Sequence, residues 1–360
     1  MSNSHPSSKP EFCRRFLSHS QPATLARVLH NAEFFRDVYG AVRLLGVLAC
    51  CLLALEQKGM SDAKLSESDR RNAVAVRTLQ EKNRDAIRWD ASGHNIEAVA
   101  LHHDYGKALP KLLEDLGDFP ELDVTSKALP REEDLDAICR LTFLKSLAIS
   151  GDRVTDDVIP RLTTLVGLRT LRLGYSALTG ETLSRLAALP DLACLDLTGL
   201  AALPPVAAQE LLKIRSLRQL YVSQTPLTDA DVEVLVQHKE WRRLTFDRTS
   251  VTDTSLQLVA GLPHLTHFDV DGECITSAGI KALAASQSLE WLDLRFCPSL
   301  DDAAVDALAD MPKLRTVKLH DKNKITPAAV KRLAKKKPKL LIQHPATNDW
   351  ERHGWNGFFE

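Results

Sequence analysis

One spacing constrains this chain more than anything else in it: the pattern apolar-x-x-apolar-x-apolar returns every 24 or 25 residues. It reads Leu144/Leu147/Ile149, Leu168/Leu171/Leu173, Leu192/Leu195/Leu197, Leu217/Leu220/Val222, Trp241/Leu244/Phe246, Leu265/Phe268/Val270, Leu289/Leu292/Leu294 and Leu314/Val317/Leu319. The register extends upstream through Phe119/Leu122/Val124 to Ile96/Val99/Leu101, and a worn copy closes the series at 340–343. That makes about eleven coils between residues 96 and 343. Within a coil the last two apolar positions alternate with polar ones, the period of a short strand with one face buried.

A second signal follows each strand. An apolar residue (Val154, Leu178, Leu203, Leu227, Val251, Ile275, Leu300, Ile325) precedes Thr155, Thr179, Thr228, Thr252, Thr276, Asp301 or Thr326, side chains able to accept from the free N–H groups of a first helical turn. Thr228 and Asp231 have capping-box spacing. Apolar stripes such as Leu183/Leu186/Leu189 and Val305/Leu308/Met311 then turn each helix onto its strand. The extra residue of the longer coils falls between strand and cap, so it goes into a loop and the core register survives.

A single coil cannot bury its apolar face alone, whereas stacked coils share a continuous core. The expectation is an α/β solenoid with right-handed crossovers, parallel strands lining one face and helices the other. On its LxxLxL strands and turns such as Leu227-Thr228-Asp229-Ala230-Asp231-Val232 and Val154-Thr155-Asp156-Asp157-Val158, the chain resembles the leucine-rich-repeat superfamily, in particular its ribonuclease-inhibitor-like and F-box-associated types. The resemblance implies a horseshoe with a concave sheet that recognises proteins. No F-box-like segment is read in the first 95 residues.

Between the leucines, side chains point away from the core and line up in rows about 4.8 Å apart, giving a face on the order of 50 Å long, enough for a protein partner. The first coils hold mostly small residues there. From Tyr221 onward the rows collect Arg243, Asp247, His267, Asp269, Asp271, Trp291, Asp293, Arg295, Lys318 and His320. Tyr, Trp and Arg are the usual anchors of interfaces, so this stretch is the expected partner site, with Tyr221 and Trp291 as anchors. The alternative is a solvated face whose charges pair along the ladder, Asp271 with Arg295 and Asp293 with Lys318.

An open sheet encloses little chemistry, and none of the GxSxG, HExxH, P-loop or GxGxxG motifs is present. No catalytic residue, metal site or cofactor is expected; a metal-dependent hydrolase built on the Asp/His cluster is the remote alternative. With 46 basic and 47 acidic residues, long-range attraction to nucleic acid is absent, and the basic run 331–339 reads as a solvated helix end, so no nucleic-acid partner is expected. Seven cysteines, odd in number and mostly isolated, read as reduced thiols.

The flanks are different. Residues 1–20 read as disordered and 21–65 as helical, and the uncharged run 44–55 is too short to span a bilayer. That run reads either as a buried helix, placing the chain in the cytoplasm, or as an export signal or membrane anchor. Residues 66–95 read as a capped helix and a hairpin that seal the open end of the core. Residues 344–360, with Trp350, Trp355, Phe358 and Phe359, read as a C-terminal cap or a docking tail.

Overall fold

The computed structural model describes residues 66–93, 95–103, 105–124, 131–201, 206–320 and 322–345. The expectations for 1–65, including the run at 44–55, and for the aromatic tail beyond Pro345 lie outside these residues. No helix among the described residues is long and apolar enough to cross a membrane.

The first helix, Glu67–Lys82, opens with a capping box: the Asp69 amide donates to Ser66 Oγ at 3.1 Å while Asp69 Oδ2 accepts from the Ser66 amide at 3.2 Å. A hairpin follows, in which β1 (Ile87–Trp89) pairs antiparallel with β2 (Ile96–Ala100). All later strands run parallel to β2 and join in chain order. They are β3 (Glu121–Val124), β4 (Ser146–Ile149), β5 (Thr170–Arg172), β6 (Cys194–Asp196), β7 (Gln219–Tyr221), β8 (Arg243–Thr245), β9 (His267–Asp269), β10 (Trp291–Leu294), β11 (Thr316–Leu319) and β12 (Leu341–Gln343). Among the described residues the result is one open sheet of 12 strands.

Among the described residues the crossovers carry short helices that lie each against the next: Asp229–Leu235, Asp253–Val259, Ser277–Leu283, Asp302–Leu308 and Pro327–Lys336 follow β7 to β11. The coil after β5 departs from the expected α-helix. Its stripe Leu183/Leu186 is carried by 3-10 turns over Leu183–Ala188, and Gly180 adopts φ 84 where the coils after β7 to β11 begin their helices. Thr155 also stands outside the helix it was expected to cap, which starts at Val158.

The core is the repeat itself. Leu171, Leu195, Leu220, Leu244, Phe268, Leu292 and Val317, the central strand residues, are fully buried, each contributing on the order of 2 kcal/mol. Trp241 replaces a leucine and is buried completely, its indole N–H donating to the Leu235 carbonyl at 2.8 Å. Beside it, His238 reaches the Leu217 carbonyl with Nε2 at 2.8 Å, so the larger ring enters the core with its polar atom satisfied. Among the described cysteines, Cys139, Cys194, Cys274 and Cys297 are free thiols.

The cap threonines do more than close their own helices. Thr252, Thr276 and Thr326 accept from the first turn of their own helix and donate to an aspartate of the preceding coil. Asp229 takes the Thr252 amide at 2.9 Å and hydroxyl at 2.6 Å and also the Ser255 amide and hydroxyl; Asp253 takes Thr276, and Asp302 takes Thr326. Asp156 does the same for Thr179, Gly180 and Thr182. One rung is inverted: Ser277 donates to Asp301 at 2.6 Å. The second residue of the Thr-Asp turn is therefore a bond between coils.

Candidate binding site on the strand face

Strand register places the predicted residues in adjacent rows. Gln219, Arg243, His267, Trp291 and Thr316 are neighbours across β7 to β11, and so are Tyr221, Thr245, Asp269, Asp293 and Lys318. Asp247, Asp271, Arg295 and His320 follow at the strand ends. The rings of His267 and Trp291 stack with centroids 6.0 Å apart, and Lys318 Nζ sits 4.6 Å above the Trp291 ring. Arg243 Nη1 donates to the Tyr221 hydroxyl at 3.1 Å. His320 packs its ring on exposed Phe296 at 5.7 Å.

The charge pairing differs from the ladder expected above. Arg295 pairs with Asp293 of its own coil, Nε lying 2.9 Å from both carboxylate oxygens and Nη2 2.8 Å from one. Among the described residues no ion pair joins Arg295 to Asp271, which accepts the backbone N–H of Arg248 from the preceding coil. Lys318 does lie next to Asp293, at 3.8 Å. Asp271, Asp293 and Lys318 are only 6%, 7% and 8% exposed, so these are desolvated charges.

Among the described residues, Asp247 and Asp269 meet no hydrogen-bond donor with their carboxylates. Asp269 Oδ1 is buried and meets none among the described residues. Burial, reinforced by Asp293 and countered by Arg243, Lys318 and Arg295, pushes the Asp269 pKa up to about 6. Burial together with Asp269, Asp271 and Asp293 pushes Asp247 up to about 7 against the pull of Arg295. Burial also raises Asp271, lowers Lys318 and, with Arg243, lowers His267.

One feature is not visible in the rows, the rim where strand turns to helix. Three residues past the central row, Tyr175, Gln224 and Arg248 adopt φ of 53, 57 and 52, where Gly151, Gly199 and Gly272 occupy the same position in other coils. A side chain there costs about 1–2 kcal/mol relative to glycine. Tyr175 lies over Gly199, whose added Cβ would meet the ring at 2.5 Å, and its hydroxyl accepts from Gln224 Nε2 at 2.9 Å. Glycines recurring at this position were the available signal.

On the opposite face, Lys336 pairs with Asp310 at 3.0 Å, Arg332 lies 3.7 Å from Asp306, and Lys337 donates to the Met311 carbonyl, so part of the basic run is engaged within the array. Among the described residues no three His, Cys, Asp or Glu side chains are arranged to hold a metal ion.

Eleven parallel strands among the described residues, one per 23 to 25 residues, each joined to the next by a single crossover over a shared leucine core, decide the fold. It is a leucine-rich-repeat solenoid. No family model and no curated protein matches the chain. Solved structures similar to this leucine-rich-repeat array include the yeast Rad7 and Elc1 complex, at 17% identity and TM-score 0.49 over 95% of this chain and 96% of that one. Another is a leucine-rich-repeat protein of Leptospira interrogans, at 21% identity and TM-score 0.43 over 64% and 62%.

Proposed function

We propose that the chain is a non-catalytic protein-binding module that holds its partner on the strand face between β7 and β11. The observation that carries this reading is the Trp291 cluster. An indole stacked on His267, covered by Lys318 and flanked by the Asp293–Arg295 pair concentrates anchor-type side chains and desolvated charge on one open surface. The earlier coils offer Ala98, Ala100, Ser146 and Ala148 instead, which are small and supply few anchors. The partner contacts are assigned to Tyr221, Arg243, Asp247, His267, Asp269, Asp271, Trp291, Asp293, Arg295, Lys318 and His320.

The test is recovery of the partner from native lysate by the wild-type chain and by a Trp291→Ala/Arg295→Glu variant of unchanged thermal stability. Loss of a partner that the wild type retains supports the site. Equal recovery places the contact elsewhere on the array.

A further inference from the structure

The charges on this face are unevenly matched, and the mismatch specifies the partner. Four aspartates, Asp247, Asp269, Asp271 and Asp293, come together from three successive coils. Asp293 takes both Arg295 and Lys318, and Asp271 takes the Arg248 amide. Arg243 is turned to the Tyr221 hydroxyl. That leaves Asp247 and Asp269 in adjacent coils with no donor among the described residues, and the inner oxygen of Asp269 is out of reach of solvent.

A buried carboxylate without a donor is costly in its ionised form and is relieved in two ways, by a proton or by a cation. Within the protein the charges facing Asp269 are Asp293, Arg243, Lys318 and Arg295, and those facing Asp247 are Asp269, Asp271, Asp293 and Arg295. The cations nearby already have closer partners. A guanidinium presents several donors in one plane and can bridge two carboxylates, which an ammonium does less well.

On the reading of this face as a protein interface, we infer that the partner inserts an arginine side chain between Asp247 and Asp269, supplying the hydrogen-bond donors that the solenoid withholds. The partner is thus a protein with a basic, arginine-bearing contact segment. Seating the guanidinium ionises both carboxylates, so binding releases protons and weakens as the solution is acidified through the range in which they titrate.

The experiment uses the full chain and two small probes, acetyl-arginine amide and its neutral isostere acetyl-citrulline amide, followed by NMR at the aspartate side-chain carboxyl carbons and the Trp291 indole N–H. At about pH 8 the arginine probe is expected to shift the Asp247 and Asp269 resonances and the citrulline probe to leave them in place, and at about pH 5, where both carboxylates are protonated, the response should be lost. In an Asp247→Asn/Asp269→Asn variant, isosteric and checked for an unchanged fold by its amide spectrum, affinity for the arginine probe should fall roughly tenfold or more.

Equal responses to the two probes, or an arginine response that survives in the double Asn variant, would overturn the inference. Partner recovery separates this failure from failure of the interface reading. If Trp291→Ala/Arg295→Glu loses the native partner while the double Asn variant keeps it, the face binds without an arginine in this place. If both variants keep it, the interface reading itself falls, and the inference with it.

Discussion

Aspartate is used in two opposite ways on the two sides of one coil. At the helix starts, Asp156 and Asp229 each collect amide and hydroxyl donors from the next coil. Burial opposes ionisation there, but the hydrogen bonds outweigh it and hold both carboxyls below their ordinary range. On the strand face Asp247 and Asp269 have no such donors among the described residues, and burial raises them to about 7 and about 6. The first arrangement welds coil to coil. The second keeps a charge poorly satisfied on an open surface, which the fold alone does not require.

The largest effect belongs to the helix-start ladder. Asp229→Ala strands the Thr252 and Ser255 donors and should lower stability by about 2–3 kcal/mol, read as a shift in denaturant midpoint. Asp269→Asn removes a carboxylate that meets no hydrogen-bond donor among the described residues. A rise from an ordinary 3.8 to about 6, at roughly 1.4 kcal/mol per unit, allows a gain of about 1–2 kcal/mol at pH 8 once the unsatisfied oxygen that remains is set against it. A loss of stability in this variant would erase the contrast between the two sides.

The two sides also answer pH with opposite sign. Asp247 and Asp269 have folded pKa values above their unfolded ones, so the folded state holds extra protons between about pH 4 and 7 and loses stability as pH rises across that window. Asp156 and Asp229, shifted down, contribute fully above the unfolded carboxyl pKa, and that contribution disappears as pH falls through their folded values. His238 and His267, lowered by burial, tilt the curve upward with pH through the range below 6.5, so the strand-face contribution is isolated by difference. The stability gap between the Asp247→Asn/Asp269→Asn variant and the wild type should be widest above pH 7 and close toward pH 4; a constant gap would mean that neither carboxyl carries a raised pKa.

The fold was legible because its signal is periodic. Leu195, Leu220 and Leu244 announce a strand by spacing alone, and their burial follows from stacking. The caps at Thr228, Thr252, Thr276 and Thr326 were legible for the same reason, since an N-cap is a local feature of one coil. That Asp229 serves Thr252 was not, because the bond joins residues 23 apart and only the stacked register makes them neighbours. The rows of the face could be written down from the period. Which charges pair within them could not, because the partner of Arg295 depends on rotamer reach and on a backbone amide, that of Arg248, already holding Asp271. The left-handed turn at Tyr175 was hidden by its own side chain, glycine being the usual marker of such a position.

The smallest expected effect is the sharpest test of the ladder. In the rung between Ser277 and Asp301 the acid has moved to the cap position, where it accepts from the Ala303 amide at 3.0 Å and from Ser277 Oγ at 2.6 Å. If direction is immaterial and only the donor–acceptor match between coils counts, exchanging the two should be nearly silent: Ser277→Asp/Asp301→Thr recreates the Asp253–Thr276 arrangement and should stay within about 0.5 kcal/mol of wild type. Ser277→Asp alone sets two carboxylates against each other at the same rung and should lose about 1 kcal/mol, while Asp301→Thr alone leaves two hydroxyls able to bond and should lose less. The coupling between the two changes, obtained from the four proteins by urea unfolding, is therefore expected to be favourable. Additive losses would show that the helix starts are capped one coil at a time.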